Sequence, residues 1–262
     1  MSDARAFLRF WHALDTAMER VVGTPWGAVV SDARFPTIWD VNYARVDVER
    51  DVRLAEVRSV LDRELARTGS RHEHIVCFWP ELQTGLLSEL GRSGNRISWD
   101  IVMIHRGGVP DPPRVAVEEV SVFDDPFWAA VRTSLAAFDV TEPASLDQLM
   151  HLEREVALPD GKRWFAIRTS PAEDPLALGA LIEHEDVAYL DHIVTVPEAR
   201  RRGYGSAMVR KIVQVARDDG MKLITLLADR GGKPAELYRR LGFEDLTYLA
   251  SSVRRLPEVQ EP

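Results

Sequence analysis

Residues 194–209 read VTVPEARRRGYGSAMV. Arg200, Arg201 and Arg202 precede Gly203, Tyr204 and Gly205, between an apolar β-branched run and a stretch with helical spacing. Where a strand hands over to a helix, backbone N–H groups lack intrahelical partners and the helix dipole is positive. Glycines there let a ligand approach the main chain closely. The chemistry these residues suit is the cradling of an anion, a phosphate above all. A P-loop would need Gly-Lys-Ser/Thr, which is absent, and a dinucleotide fingerprint would need a third small residue where Met208 stands. What is left is Arg-x-x-Gly-x-Gly, formed by Arg200, Gly203 and Gly205.

Other clusters carry less. His72, His74 and Cys77 lie close in sequence, but strand parity sends the cysteine to the face opposite the histidines, and the spacing fits no zinc pattern. No metal site is expected. The seven tryptophans are scattered and read as core residues rather than as a stacking platform. Acidic runs such as VDVERD read as solvated surface.

The elements that must position the arginine-glycine loop are legible around it. VAVEEVS (115–121) alternates as a strand. DPFWAAVRTSLAAF and SLDQLMHLEREVA have helical spacing, the second with Ser145 as N-cap. KRWFAIRTS, PLALGALIEHED and VAYLDHIVTV read as strands, with SPAEDP turning between the first two. After the loop come a helix over 205–218, the strand MKLITLLAD, the helix KPAELYRRLG and the strand FEDLTYLASSV. Strands that alternate with helices imply a mixed α/β sheet with helices on its faces.

HRGGVPDPPR (105–114) breaks the pattern with glycines and prolines, so two domains are expected, 1–110 and 114–262. The first opens with a helix that sets Phe7, Phe10, Trp11, Leu14, Met18 and Val21 on one side. Strands WGAVVSD and IWDVNYARVD, helix VRLAEVRSVLDRELARTG, strand HEHIVCFW, helix PELQTGLLSELGR and strand RISWDIVMIHR follow. That β-β-α-β-α-β order matches the last six elements of the chain. The endings LLSELGRSGNRISWDIVMIHR and AELYRRLGFEDLTYLASSVRR also correspond, so the chain reads as a divergent tandem duplication.

Bulk properties set limits. A net charge of −8 argues against nucleic acid or an anionic membrane as the main partner. A single cysteine fits a reducing compartment. The amphipathic, charge-interrupted N-terminus has no signal-peptide core, and no apolar run approaches membrane-spanning length. A cytoplasmic protein, monomeric or homodimeric, is expected.

Arg200, Gly203 and Gly205 directly after a strand resemble the pyrophosphate loop of the GNAT superfamily of acyl-CoA-dependent N-acyltransferases, Gln/Arg-x-x-Gly-x-Gly/Ala. The resemblance covers most of residues 115–250. GGKPAELYRRLGFE (231–244) is similar to a second superfamily segment, with Tyr238, Gly242 and Phe243 in register. It departs from that segment at Gly231, where asparagine is usual, and at Pro234, where alanine is usual.

The resemblance implies an N-acetyltransferase with acetyl-CoA as donor. Main-chain groups of Ile193, Val194 and Thr195 would hold the pantetheine arm. Arg200 would sit beside the pyrophosphate, and amides of Arg201, Arg202, Gly203, Tyr204, Gly205 and Ser206 would wrap it. Tyr238 would protonate the departing thiolate. The base is sought on YLDHIVTV, where alternation sets Tyr189, Asp191, Ile193 and Thr195 on one face and His192, Val194 and Val196 on the other. Asp191 is the first candidate and His192 the second. Glu183, His184 and Glu185 are further possibilities. The acceptor is a small-molecule amine or a peptide. The tandem layout is similar to that of mycothiol synthase, in which one acyltransferase half has decayed. The alternative from another class is a CoA or acyl-CoA sensor without turnover.

Overall fold

The computed structural model describes residues 2–108, 111, 113–170 and 173–256. Val109 and Pro110 of the proline-rich break, and Pro171 and Ala172 of the SPAEDP turn, lie outside the described residues. In chain order the elements begin with α1 (Asp3–Asp15), β1 (Arg20–Thr24), β2 (Gly27–Ser31), β3 (Tyr43–Val46), α2 (Leu54–Thr68), β4 (His72–Cys77), α3 (Thr84–Arg92) and β5 (Arg96–His105). They continue with β6 (Glu118–Glu119), α4 (Asp125–Ser134), α5 (Pro143–Leu152), β7 (Arg163–Ile167), β8 (Ala177–His184), β9 (Val187–Thr195), α6 (Tyr204–Asp218), β10 (Leu223–Asp229), α7 (Lys233–Arg240) and β11 (Phe243–Arg255).

The chain divides into two compact units. The C-terminal unit is Val102–Leu246 together with the N-terminal residues to Phe7; the N-terminal unit is Leu8–Ile101 together with the chain from Thr247. Compactness therefore cuts inside β5 and β11, because each of these strands starts in one unit and ends in the other. In the C-terminal unit the strand order is β5-β10-β9-β8-β7-β6, with β10 and β9 parallel and β9-β8-β7-β6 antiparallel. In the N-terminal unit it is β1-β2-β3-β4-β11, with β3 and β4 parallel and β4 and β11 antiparallel. Both are mixed α/β arrangements.

Each unit has its own core. In the C-terminal unit Phe127, Trp128, Val131 and Leu135 pack on Trp164, Ala166, Leu178 and Ala180. Opposite that face, a Cβ on Gly179 would fall 2.7 Å from Met208 and 2.9 Å from Ile212, so α6 lies flat on β8 because residue 179 has no side chain. In the N-terminal unit Val57, Leu61 and Leu65 of α2 and Leu86 and Leu90 of α3 bury with Val29, Ala44, Ile75, Cys77 and Ala250. Cys77 is fully buried as a core residue, and His74 bonds Trp39 O and Ser251 Oγ at 3.1 and 2.8 Å.

Several expected boundaries move. VAVEEVS pairs only at Glu118 and Glu119. The first helix ends at Asp15, and Val21 belongs to the hairpin strand β1. The second helix of the C-terminal unit begins at Pro143 with Glu142 as N-cap, because proline at the first helical position fits where no N–H is needed. Ser145 lies inside that helix and donates to the Glu142 carboxylate at 3.3 Å. Trp39–Val41 is a 3-10 turn, and buried Asn42 ties it down by donating to Phe35 O and Ile38 O. Trp39 is among the few exposed large hydrophobic residues, at 42%.

Candidate functional site

The arginine-glycine loop connects β9 to α6, and both partners are shaped for it. β8 and β9 pair in register from His184–Val187 to Ala180–Asp191, then shift so that Leu178 faces Val194. His192 and Ile193 therefore stand opposite Gly179 alone, which is a β-bulge. His192 takes φ 51°, the left-handed region that β-strand residues rarely enter.

The bulge overturns the expected parity. Asp191 shares the face of Ala180, under α4 and α5, whereas Thr195 pairs with Ala177 and turns toward α6. Asp191 and Thr195 are thus on opposite faces, and the His192 ring joins Asp191 on the α4 side. Regular alternation fails because one extra residue is inserted between them.

On its other side β9 pairs with β10 only at Val187–Leu223, Ala188–Ile224 and Tyr189–Thr225. β9 runs on to Thr195 and β10 to Asp229, so the two strands part beyond Tyr189. Main-chain groups of Leu190–Thr195 on that side have no ladder partner in β10. The gap leads to the start of α6, where Gly203 is the N-cap at φ 86° and no side chain caps the helix. Asp, Asn, Ser or Thr would normally accept those N–H bonds. A Cβ on Gly205 would meet only Thr195 Oγ1 at 3.7 Å and Leu237 Cδ2 at 3.8 Å, ordinary contacts. The protein's own packing therefore does not demand glycine at 205, but a ligand pressed against the backbone would. Arg200 folds back, its Nε donating to Thr195 O at 3.2 Å. Arg201 and Arg202 are exposed and have no ion-pair partner among the described residues. The donors and charge fit two phosphates.

Tyr238 is the sixth residue of α7 and is buried, its ring 6.0 Å from that of Phe243. Its hydroxyl bonds no described residue, and burial pushes its pKa up to about 12. A phenol that holds its proton this firmly is an acid waiting for a strong base. At the usual asparagine position, the Gly231 N–H donates to Asp229 Oδ1 at 2.7 Å, so a backbone turn replaces the side chain.

Asp191 is engaged. Lys162, with its side chain 3% exposed, donates to Asp191 Oδ2 at 2.8 Å and to Glu153 Oε1 at 2.7 Å. Glu153 comes from a π-helical turn, Glu153–Ala157, that extends α5. Burial alone would raise the Asp191 pKa, but the Lys162 charge overrides it and holds the carboxyl below its ordinary value. Glu153 is raised, chiefly by burial. Glu183 does not join this group; it pairs with Arg163 on a different part of the sheet, and burial raises its pKa.

His192 is packed edge-on against Trp164 at 4.9 Å and lies beside Phe138 at 5.0 Å. Burial and the Lys162 charge bring its pKa down to about 4, so the ring is neutral at pH 7. Its Nε2 sits 2.6 Å from Ser134 Oγ at the end of α4. Ser134 in turn borders a cavity of about 430 Å³ with Ala129, Ala130, Ala136, Ala137, Leu178 and Val194. Nothing in the residue pattern singles out Ser134, Glu153 or Lys162. A lysine at the head of an apolar strand reads as a solvated strand end, and only the fold brings it to Asp191.

Residues 128–243 match the Acetyltransferase (GNAT) family and carry a GNAT acetyltransferase domain. Over 79 residues the chain is 32% identical to an uncharacterized N-acetyltransferase of Methanocaldococcus jannaschii, which covers 30% of this chain and 35% of that protein. Over 60 residues it is 38% identical to the thialysine N-epsilon-acetyltransferase of Bos taurus, covering 22% of this chain and 35% of that protein. The chain thus spans about a third of the length of these curated relatives. A functionally unknown conserved protein from Staphylococcus epidermidis superposes with a TM-score of 0.72 at 12% identity, covering 92% of this chain and 95% of that one. A GCN5-related N-acetyltransferase from Kribbella flavida gives 0.67 at 20% identity, covering 99% and 97%. At these identities the likeness is one of fold.

Proposed function

We propose that the C-terminal unit transfers an acetyl group from acetyl-CoA to an amine, carried by a small molecule or a peptide. The observation that carries this reading is the glycine-lined, uncapped start of α6 at the mouth of the gap between β9 and β10. Main-chain groups of Ile193, Val194 and Thr195 hold the pantetheine arm. Arg200 steadies the loop, and amides from Arg201 to Ser206, Tyr204 included, take the pyrophosphate. A bulge N–H of β9 faces the developing oxyanion as a preorganised donor. Tyr238 gives its proton to the departing thiolate. Of the two base candidates, Asp191 is tied to Lys162, which leaves neutral His192 as the better acceptor. Among the described residues no group of His, Cys, Asp and Glu could hold a metal ion.

The reading is tested by ligand-induced stabilisation. CoA at one hundred times its dissociation constant should stabilise the fold by about 2.7 kcal/mol. Gly205→Asp should abolish the shift, because the new carboxylate meets the pyrophosphate while its Cβ has room. An unchanged shift in folded Gly205→Asp protein would sink the phosphate assignment.

The engagement of both base candidates favours a second reading, an acyl-CoA sensor without turnover. Amine-dependent release of CoA separates the two. The tandem ancestry, with domains 1–110 and 114–262 and a decayed first half as in mycothiol synthase, belongs to the same proposal; it rests on the matching element order.

A further inference from the structure

Neither base candidate borders the cavity beneath α4. Its wall is formed by α4 and the turn after it, by the start of β8, by the end of β9 and by Arg200, and it includes neither Asp191 nor His192. Alanines and Leu178, Val194 and Val196 make most of it apolar. Among the described residues Asp174 and Arg200 are its only titratable lining groups, and Arg200 is already turned back to Thr195 O. Behind one point of the wall lies the His192 ring, 9% exposed and bonded to the lining residue Ser134.

Ser134 Oγ is 2.6 Å from His192 Nε2 and 2.7 Å from Val131 O. A serine hydroxyl has one hydrogen and two lone pairs. When that hydrogen turns to Val131 O, the imidazole must donate to Ser134. When it turns to His192, the imidazole accepts and the serine oxygen is free to accept from the cavity. The second arrangement is a proton wire one residue long. Trp164 and Phe138 hold the ring in place from two sides, and the bulge fixes its backbone.

Building on the acetyl-transfer reading above, we propose that Ser134 is the relay through which an acceptor amine in this cavity passes its proton to His192. As the amine nitrogen forms its bond to the thioester carbonyl carbon, it gives a proton to Ser134 Oγ, and the serine hydroxyl proton moves to His192 Nε2. The C–S bond breaks, its electron pair leaves with sulfur, and the thiolate takes the Tyr238 proton. The imidazolium then returns its proton by way of solvent to the tyrosinate, which restores the starting state. The alanine-rich wall selects an acceptor whose body is small and apolar, such as a short primary alkylamine.

The test measures CoA release from acetyl-CoA with butylamine, and with water alone as acceptor. It compares full-length wild type, Ser134→Ala, Ser134→Thr, His192→Gln and the double variant Ser134→Ala/His192→Gln. CoA affinity is measured separately by calorimetry. Ser134→Ala should lower kcat by about 10²-fold with unchanged CoA affinity, as general acid–base groups do. Ser134→Thr should restore most of the rate. The double variant should be no slower than His192→Gln, because parts of one relay are not additive. A purely structural serine would instead give additive losses with no rescue by threonine, which overturns the relay. So would wild-type turnover in Ser134→Ala, or a preference for octanoyl-CoA over acetyl-CoA with Ser134→Ala silent, which would place an acyl chain in the cavity. CoA binding without any release by wild type would overturn the acetyl-transfer reading itself and leave the sensor.

Discussion

The β9–α6 junction of the C-terminal unit and the β3–α2 junction of the N-terminal unit have the same parallel-strand topology and differ at every point where a phosphate would be met. β9 carries a bulge and parts from β10 after Tyr189, whereas β3 pairs with β2 without a shift, from Gly27–Val46 to Val30–Tyr43. β3 and β4 stay together to Val46–Cys77, and Phe78 N–H adds one more bond to Val46 O at 2.9 Å. Beyond that, Trp79 donates to Asp47 O, and Gln83 donates to Val48 O and Arg50 O. Side chains fill what is a gap in the other unit.

The helix starts differ as sharply. At α6 there is no cap, but at α2 the Leu54 N–H is taken by Glu89 Oε2 at 2.8 Å, and Arg53 pairs with the same carboxylate. At α3 the Asp51 carboxylate accepts from Gly85 and Leu86. Glu89 is the sixth residue of α3, as Tyr238 is the sixth of α7. At matched positions one helix offers a buried phenol with its proton and the other a carboxylate that already occupies an anion position. A helix N-terminus is an anion site only while its donors are vacant.

This contrast predicts one CoA site per chain. Calorimetric titration should give a stoichiometry of one, and Gly205→Asp should leave none. Two sites of similar affinity, or one surviving in that variant, would mean that the N-terminal junction binds after all. At the second matched position, Tyr238→Phe should lower kcat by about 10²–10⁴-fold. Because the hydroxyl bonds no described residue, the melting temperature should hardly move. Near wild-type turnover, with chemistry limiting the rate, would return Tyr238 to a packing role.

How far this contrast could be read from sequence depends on what each signal encodes. The arginine-glycine loop and the order of strands and helices are local patterns, and the loop lies between a strand and a helix as its residues imply. Asp47, in an acidic run that reads as solvated surface, is instead paired with Arg45 and His12. Asn42 and Tyr43 are buried in bonds within their own unit, Tyr43 to Asp15 and Asn42 to the Trp39 turn, contacts that no local pattern announces. The His192 bulge is invisible to alternation, because a bulge leaves hydrophobicity unchanged and only shifts parity. The Lys162–Asp191 contact spans 29 residues, so no local window contains it.

The bulge also sets a pH signature. His192 has a pKa of about 4 in the folded protein against an ordinary 6.5, through burial and the nearby Lys162 charge. The unfolded chain therefore binds the proton first as pH falls. The stability is fully present above 6.5 and is lost progressively as pH falls toward 4, by about 3 kcal/mol at most. His74 and His105, also lowered chiefly by burial, act in the same sense, and Glu153 in the opposite one. The measurement is accordingly a difference. Between pH 7 and 4.5, denaturant midpoints of His192→Gln should fall less than those of wild type. Parallel curves would show that the imidazole is not held neutral by the fold.

The smallest expected effect separates two accounts of why the N-terminal junction is closed. If Glu89 alone keeps anions away, Glu89→Ala should create a second phosphate site. If the continuous β3–β4 pairing and the Trp79 and Gln83 plug also exclude ligand, removing the carboxylate should only cost stability. The second account is favoured, since vacating one N–H does not open a gap that the Phe78 N–H and the Gln83 side-chain amide bridge. The cost should resemble that of a lost helix cap, about 1 kcal/mol. The Arg53 pair adds little, because the arginine side chain is 76% exposed. Glu89→Ala should therefore lower the urea midpoint slightly while CoA titration still gives one site. A second calorimetric binding event in that variant would mean that a single carboxylate is what distinguishes the two junctions.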